Sequence, residues 1–297
     1  MPNQMQVKPF SIDNRALFES QYKKQGFPLA EHSVNWLYLW QDTYKNMRWC
    51  RINSNICLFV DVDGKTSLWN SVFPGKNIPD TLRQLQEIED FASVTYIPNQ
   101  HLHLFENLEN SELIYQNQDY IYRTSDIMNF PGSAYAKKRN SKSQFSKSYN
   151  YSLEEYDRIL HEDGCLALLR LWRLSKEDAV SEEDMKKIDE EDKANRLCLK
   201  QAHALGLKGI IVKVDGIVQG YSFAEKTNGQ MATIFFEKTN PHMRGLSAFI
   251  FSEMAGKFAG TEYINAGEDW DVEYIKSSKL SYHPVFLNKS YTLVRTR

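Results

Sequence analysis

Near the end of the chain, in "YINAGEDWDVEYIKSSKLSYHPVFLNKSYTL", residues able to move protons or hold charge crowd together. They are Asn265, Glu268, Asp269, Lys279, Tyr282 and His283. A carboxylate such as Glu268 or Asp269 suits a general base, and Lys279 or Tyr282 suits a general acid or an anion clamp. His283 directly precedes Pro284, a setting more often structural than catalytic. A second stretch, "EKTNPHMRGLSAFIF" at 237–251, reads as a strand ending at Glu237, a polar loop, and a helix opened by Arg244 and Gly245. The glycine lets the backbone come close to a ligand. The amides of Gly245, Leu246 and Ser247 would then face an anion, aided by the helix dipole. The plainer alternative is a glycine-opened helix that binds nothing.

The third stretch is "SAYAKKRNSKSQFSKSY" at 133–149, with Lys137, Lys138, Arg139, Lys142 and Lys147 and no acid between Asp126 and Glu154. Pro131-Gly132 precedes it, and Ser133 is a good N-cap. On a helix, Tyr135, Lys138, Lys142, Phe145 and Tyr149 share a face. Lysine stems lying on apolar surface with ammoniums reaching a cleft would produce such a mixed stripe. Cations near a helix N-terminus suit phosphate. A solvated basic face is the alternative reading.

These stretches need elements to hold them. Residues 11–46 read as helical in two parts, the first stopped by Gly26 and Pro28 and the second beginning near Glu31. "WCRIN", "ICLFVDV" and "TSLWNSV" read as strands, the last two joined by Asp63-Gly64, a strong hairpin signal. Residues 79–91 return to helix after Pro79, and "SVTYIP" reads as a buried strand. The second half repeats this order. Residues 153–204 read as helical, "KGIIVKV" and "IVQGYSFAE" as strands joined by Asp215-Gly216, and "QMATIFFE" as a strand after Asn228-Gly229. A helix over 246–258 and the strand "TEYINA" follow. Each half thus runs helices, strand, hairpin, strand, helix, strand, and the turns "VDVDG" and "VKVDG" pair Gly64 with Gly216. Two similar α+β halves are expected. The boundaries read as 1–130, a junction helix over 131–150, and 151–297.

Composition narrows the function classes. A chain of 297 residues with 42% hydrophobic content can bury a real core, as one large domain or two. Its net charge of −2 argues against general DNA binding, which leaves a strongly basic footprint. Cys50, Cys57, Cys165 and Cys198 form no C-x-x-C pair and have no histidine at metal-ligand spacing, so no metal is expected. No apolar run approaches bilayer length and the N-terminus is polar, which together predict a cytoplasmic protein with reduced thiols. Neither G-x-S-x-G nor G-x-x-x-x-G-K-[ST] occurs, which removes two hydrolase and nucleotidase classes.

Three stretches together resemble a bacterial family related to the C-terminal, cytosolic domain of phosphatidylglycerol lysyltransferase. They are "QDYIYRTSDIMNFPGSAYAKKRNSKSQF", "FFEKTNPHMRGLSAFIFSEMA" and "INAGEDWDVEYIKSSKLSYHPVFLNKSYTL". Gly132, Tyr135, Lys138, Arg139 and Asn140 meet one family pattern. Asn265, Glu268, Asp269, Lys279, Ser281, Tyr282 and Pro284 meet another. The resemblance implies a tandem fold similar to GNAT acyltransferases, each half a mixed, mainly antiparallel sheet flanked by helices. In that superfamily a basic residue and glycines between strand and helix hold pyrophosphate; here Ser247 occupies the second small position. The resemblance also implies transfer of an acyl or aminoacyl group from acyl-CoA or aminoacyl-tRNA, as co-substrate, to an amine or hydroxyl. No tightly bound cofactor is implied. In related lysyltransferases a lysine matching Lys279 lies by the aminoacyl site. These residues hold no counterpart of the lipid-modifying enzymes' large membrane domain, so the expected acceptor is not restricted to a lipid.

The expected site lies in a cleft between the halves. Arg244 and the Gly245 backbone, with Ser247, Lys138, Arg139 and Asn140, would hold a phosphate-bearing small molecule or the tRNA acceptor end. Glu237, Glu268 or Asp269 would take the proton of the attacking amine. Lys279 and Tyr282 would steady the oxyanion or leaving group. Asn265 would orient a ligand or the backbone. The alternative function is a ligand-binding or regulatory module that has lost its chemistry, which the reduced glycine loop favours.

Overall fold

A computed structural model describes residues 7–22, 26–62, 64–69, 77–86, 91–105, 110–177 and 180–296. The chain forms two compact units. One takes Met1–Asp119, Glu268–Val272 and Leu287–Arg297; the other takes Tyr120–Gly267 and Glu273–Phe286. The fold class is α+β, with a mixed, mainly antiparallel sheet and flanking helices in each.

The first unit begins with β1 (Lys8–Pro9), α1 (Arg15–Tyr22) and α2 (Val34–Leu39). A meander follows of β2 (Lys45–Ile52), β3 (Asn55–Val62) and β4 (Lys65–Trp69), then α3 (Ile78–Gln86) and β5 (Phe91–Pro98). β6 (Ser111–Arg123) gives its first residues to this unit, and β12 (Phe286–Arg295) pairs antiparallel with β5. β4 and β5 are parallel neighbours. Ile78, Leu82 and Leu85 recur at helical spacing and bury one face of α3 against Cys57, Phe59 and Leu68.

The second unit holds α4 (Thr124–Asn129), α5 (Ala136–Ser148), β7 (Tyr151–Glu155), α6 (Arg158–Leu174) and α7 (Glu182–Gln201). Then come β8 (Lys208–Val214), β9 (Ile217–Lys226), β10 (Met231–Thr239), α8 (Leu246–Gly256), β11 (Tyr263–Asn265) and α9 (Glu273–Leu280). Its strand order is β6-β11-β10-β9-β8-β7. The Asp157 carboxylate caps α6 through the Leu160 N–H at 3.0 Å. Ser181 caps α7, whose first turn carries Glu182, Glu183 and Asp184 where the helix dipole favours acids.

The expected element order holds in both units, with one shift of register. An antiparallel meander leads to a strand, a helix and a parallel neighbour: β2-β3-β4-α3-β5 in one, β8-β9-β10-α8-β11 in the other. By that topology the counterpart of the Asp215-Gly216 turn is Asn53-Ser54, where both residues have positive φ. The Gly64 turn corresponds instead to Asn228-Gly229. The matched Asp-Gly turns were therefore one hairpin out of step; Asp63 itself lies outside the described residues.

Other expectations need correction. The two helices expected over 11–46 are present but short: α1 and α2 are flanked by 3-10 turns, and β2 has begun by Lys45. Helix over 153–204 fails at both a strand and a break. Residues 151–155 form β7, because their alternation finds a partner in β8, and the chain leaves helix between α6 and α7. α5 starts after Tyr135, not after Ser133, whose backbone carbonyl accepts from Ala136 in the preceding turn. Expected strand residues 70–72 and helix residues 87–90 lie outside the described residues. All four cysteines are buried thiols. Among the described residues no helix is long and apolar enough to cross a membrane.

Candidate active site

The parallel pair β10–β11 is short. It runs from Met231↔Tyr263 to Thr233↔Asn265, while β10 continues to Thr239 beside β9 alone among its described partners. A bulge between Ile234 and Phe236 resets the alternation along the continued strand. Phe236 and Lys238 are buried on one side; Glu237, between them, is half-buried and faces the other way. The loop after β10 is held by Asn240, whose side chain donates to Gln219 at 2.7 Å and accepts from the His242 N–H at 3.0 Å.

Gly245 then opens α8 with φ +86°. A Cβ built there would lie 2.1 Å from the Ser141 carbonyl oxygen. The glycine is thus required by α5, whose backbone meets its bare Cα, as well as by its left-handed conformation. The Leu246 N–H is bonded to the Met243 carbonyl at 3.2 Å. In the first turn of α8 the exposed Ser247 hydroxyl donates to Glu237 Oε1 at 3.3 Å.

Lys138 comes from α5 and completes the group. Its Nζ lies 3.5 Å from the centre of the Tyr282 ring, a close cation–π contact. Burial pulls Lys138 down to about 8, opposed by the Glu237 charge. Burial pushes Glu237 up to about 8, opposed by the Ser247 hydroxyl and the charges of Lys279, Lys238 and Lys138. The Tyr282 phenol is pushed up by burial and by Glu237. A carboxyl and an ammonium that both change charge near neutrality are suited to passing a proton.

A surrounding frame positions these groups. The Tyr135 hydroxyl donates to the Tyr282 carbonyl at 2.9 Å, and Tyr122 does the same to Lys279. Phe251 meets the Tyr282 ring edge to face at 5.0 Å. The Lys279 ammonium donates to the carbonyls of Ala266 at 2.6 Å and Gly267 at 3.0 Å. Asn265 is buried and accepts the Gly267 N–H at 2.7 Å, so it shapes the turn after β11.

Of the residues expected from sequence, the structure brings together Lys138, Glu237, Ser247, Tyr282 and, by its charge, Lys279, all in the second unit. Arg139 is directed elsewhere: its guanidinium donates to the carbonyls of Phe130 and Gly132, closing the corner before α5. Asn140 and Arg244 are exposed, and their side chains make no hydrogen bond or ion pair among the described residues. Glu268 and Asp269 belong to the first unit. Glu268 accepts from Asn117 Nδ2, and Asp269 accepts the Asp271 N–H at 3.0 Å.

Sequence reading missed Lys238, buried one residue from Glu237. It donates to Glu191 at 2.6 Å and lies 3.5 Å from the Trp172 ring centre. A lysine continuing an apolar run in "IFFEK" was the available signal, since lysine is rarely buried unless paired. Among the described residues no group of three or more His, Cys, Asp or Glu is arranged to hold a metal ion.

The sequence matches the family described as "Phosphatidylglycerol lysyltransferase, C-terminal" over residues 27–294. No curated protein matches it. Among solved structures, a conserved protein of unknown function from Bacteroides thetaiotaomicron VPI-5482 is similar at TM-score 0.89 and 22% identity, over 99% of this chain and 100% of that one. L-PGS from Bacillus licheniformis is similar at TM-score 0.67 and 12% identity, over 99% and 95%. A tandem GNAT protein from the clavulanic acid biosynthesis pathway is similar at TM-score 0.53 and 10% identity, over 97% and 98%. These likenesses are of fold, and they make the two units tandem GNAT-like halves.

Proposed function

The chain belongs to the phosphatidylglycerol lysyltransferase C-terminal family, and from that premise we propose that it is a transferase moving an acyl or aminoacyl group to an amine or hydroxyl acceptor. One observation carries the reading: Glu237, a carboxyl pushed up to about 8, stands against the Ser247 hydroxyl and near Lys138 and Tyr282, where β10 runs on beyond its pairing with β11. A base with that proton affinity accepts a proton from an attacking nucleophile at neutral pH better than an ordinary carboxylate does. Lys138 and the Tyr282 hydroxyl are the donors available to an oxyanion or a leaving oxygen. Lys279, spent on two backbone carbonyls, fixes the wall after β11.

The donor is an activated ester or thioester, aminoacyl-tRNA or acyl-CoA, bound as co-substrate and held by its phosphates. Exposed Arg244 and the first turn of α8 are the groups offered to them. The slightly acidic chain fits a ligand held at its end better than one gripped along a polyanion.

A ligand-binding or regulatory module is the second reading. Gly245 favours it, because its bare Cα is taken up by Ser141 rather than left open for a pyrophosphate. A transfer assay with lysyl-tRNA and acetyl-CoA, each labelled on the acyl group, separates the two. Turnover with either donor supports the transferase. Tight binding of an anionic donor without turnover overturns it in favour of the module.

A further inference from the structure

We propose that α6 is the interface of a symmetric dimer, packing antiparallel against α6 of a second copy of this chain. The proposal does not rest on the transferase reading. α6 carries two apolar faces. His161, Cys165, Leu168 and Leu169 are buried and hold the helix to its own unit. A second stripe, Leu160, Gly164, Ala167, Leu171 and Leu174, advances in steps of four, three, four and three residues. That is the spacing of a seam between two helices. Its leucines face water: Leu160 is 70% exposed, Leu171 39% and Leu174 55%. A Cβ on Gly164 would lie 2.6 Å from the Val218 side chain, and the neighbouring Ile217, 65% exposed, widens the patch. Exposed leucines scattered singly are ordinary; a contiguous stripe at seam spacing marks an interaction surface.

The charges beside the stripe select its occupant. Asp163 and Arg170 flank it on one side, seven residues apart. Both are exposed, and their side chains make no hydrogen bond or ion pair among the described residues. Arg158 and Arg173 of the same helix, by contrast, pair with Glu162 and Asp189. A two-fold axis crossing the helix between Gly164 and Ala167 brings Leu160 against Leu171 of the second copy. It brings Gly164 against Ala167 of the second copy, where two small residues let the backbones approach. The same axis sets Asp163 against Arg170 of the second copy, and Arg170 against Asp163, both pairs on one side of the seam. A parallel pairing puts each charge level with its own copy and leaves both unmatched. A partner of other sequence would have to repeat the leucine spacing and reverse the charges; a second copy supplies both.

The test is sedimentation velocity on the full chain across the micromolar range, with vesicle co-sedimentation alongside. The wild type is expected to pass from one to two chains per particle as concentration rises. Leu171→Glu, which places an unpaired charge in the seam, should weaken association by at least about 100-fold. Asp163→Arg and Arg170→Asp each set like charges together twice and should weaken it about tenfold. Mixed in equal amounts, these two variants should form a heterodimer of wild-type strength, because each carries the charges that the other lacks. Circular dichroism melts check that every variant is folded. A wild type that stays monomeric throughout the range overturns the proposal; if that monomer binds phosphatidylglycerol vesicles through Leu171, the face belongs to a membrane instead. A dimer unaffected by Leu171→Glu uses another surface and overturns it as well. A dimer that Leu171→Glu dissociates, but whose charge variants do not recover on mixing, overturns the antiparallel pairing.

Discussion

Two glutamates of the second unit, Glu237 on β10 and Glu154 on β7, have similar neighbours and opposite properties. Each accepts a hydrogen bond from a serine: Ser247 at 3.3 Å and Ser152 at 2.7 Å. Each has lysine charge nearby. Glu154, however, touches Lys213 at 2.8 Å and the His161 ring at 2.9 Å, on an edge strand open to water. These hydrogen bonds hold it down to about 2. Glu237 is acted on by its lysines only across a distance, and burial dominates, pushing it up to about 8. Direct partners consume a carboxylate in holding β7 to α6 and β8. Burial without a direct cation leaves one ready to exchange a proton.

Replacing each carboxylate by its amide should separate the two roles most widely. Glu237→Gln is expected to lower transfer by about 10²–10⁴-fold, the usual contribution of a positioned base. Glu154→Gln should transfer at the wild-type rate. Equal losses in the two variants would erase the distinction.

Stability should separate them next, with opposite dependence on pH. Glu237 keeps its proton in the fold up to about 8, whereas the unfolded chain loses it near 4.5. The burden on the fold therefore grows as pH rises between those values. Relative to wild type, Glu237→Gln should gain thermal stability from about pH 4.5 to about 8 and then level off, as read by melts in a buffer series.

A smaller effect tests the electrostatics of the site itself. Lys138 is one of the charges that lowers Glu237, so Lys138→Met should move the rising limb of the pH–rate profile to higher pH. A limb that stays in place would show that Glu237 is not the group being titrated.

The smallest effect belongs to Glu154. Its depressed carboxyl stabilises the fold above its ordinary value of 4.5, and that contribution is lost as pH falls toward about 2. Because the group is about a third exposed, Glu154→Gln should cost about 1 kcal/mol or less at neutral pH. The difference should vanish in acid, measured by denaturant unfolding. A difference constant down to pH 2 would assign the loss to packing.

Local patterns made much of this legible in advance. Asp215-Gly216, the apolar run of "KGIIVKV" and Pro79 near the first turn of α3 are local signals, and a hairpin, a strand and a helix stand where they were expected. "YSLEE" was misread because charged residues suit a helix surface and a sheet edge equally, and only the pairing with β8 distinguishes them. The long strand β6 went unread for the same reason: its partner β11 lies far along the chain.

The candidate site divides in the same way. Residue type and order along the chain marked Lys138, Glu237, Ser247, Lys279 and Tyr282 as capable of chemistry, together with Arg139, Asn140, Arg244, Glu268 and Asp269. Which of them meet was decided by tertiary contacts. Arg139 turns back to its own corner, Glu268 and Asp269 join the first unit, and Lys138 reaches Tyr282 from a helix distant in sequence. The sequence by itself determined the two-fold repetition of α+β elements and the supply of reactive groups, because both are written in neighbouring residues. The tertiary structure alone decided that Glu237 is the carboxyl whose proton is held near neutrality. Burial and distance to charge are properties of the folded surroundings, and no short stretch of sequence contains them.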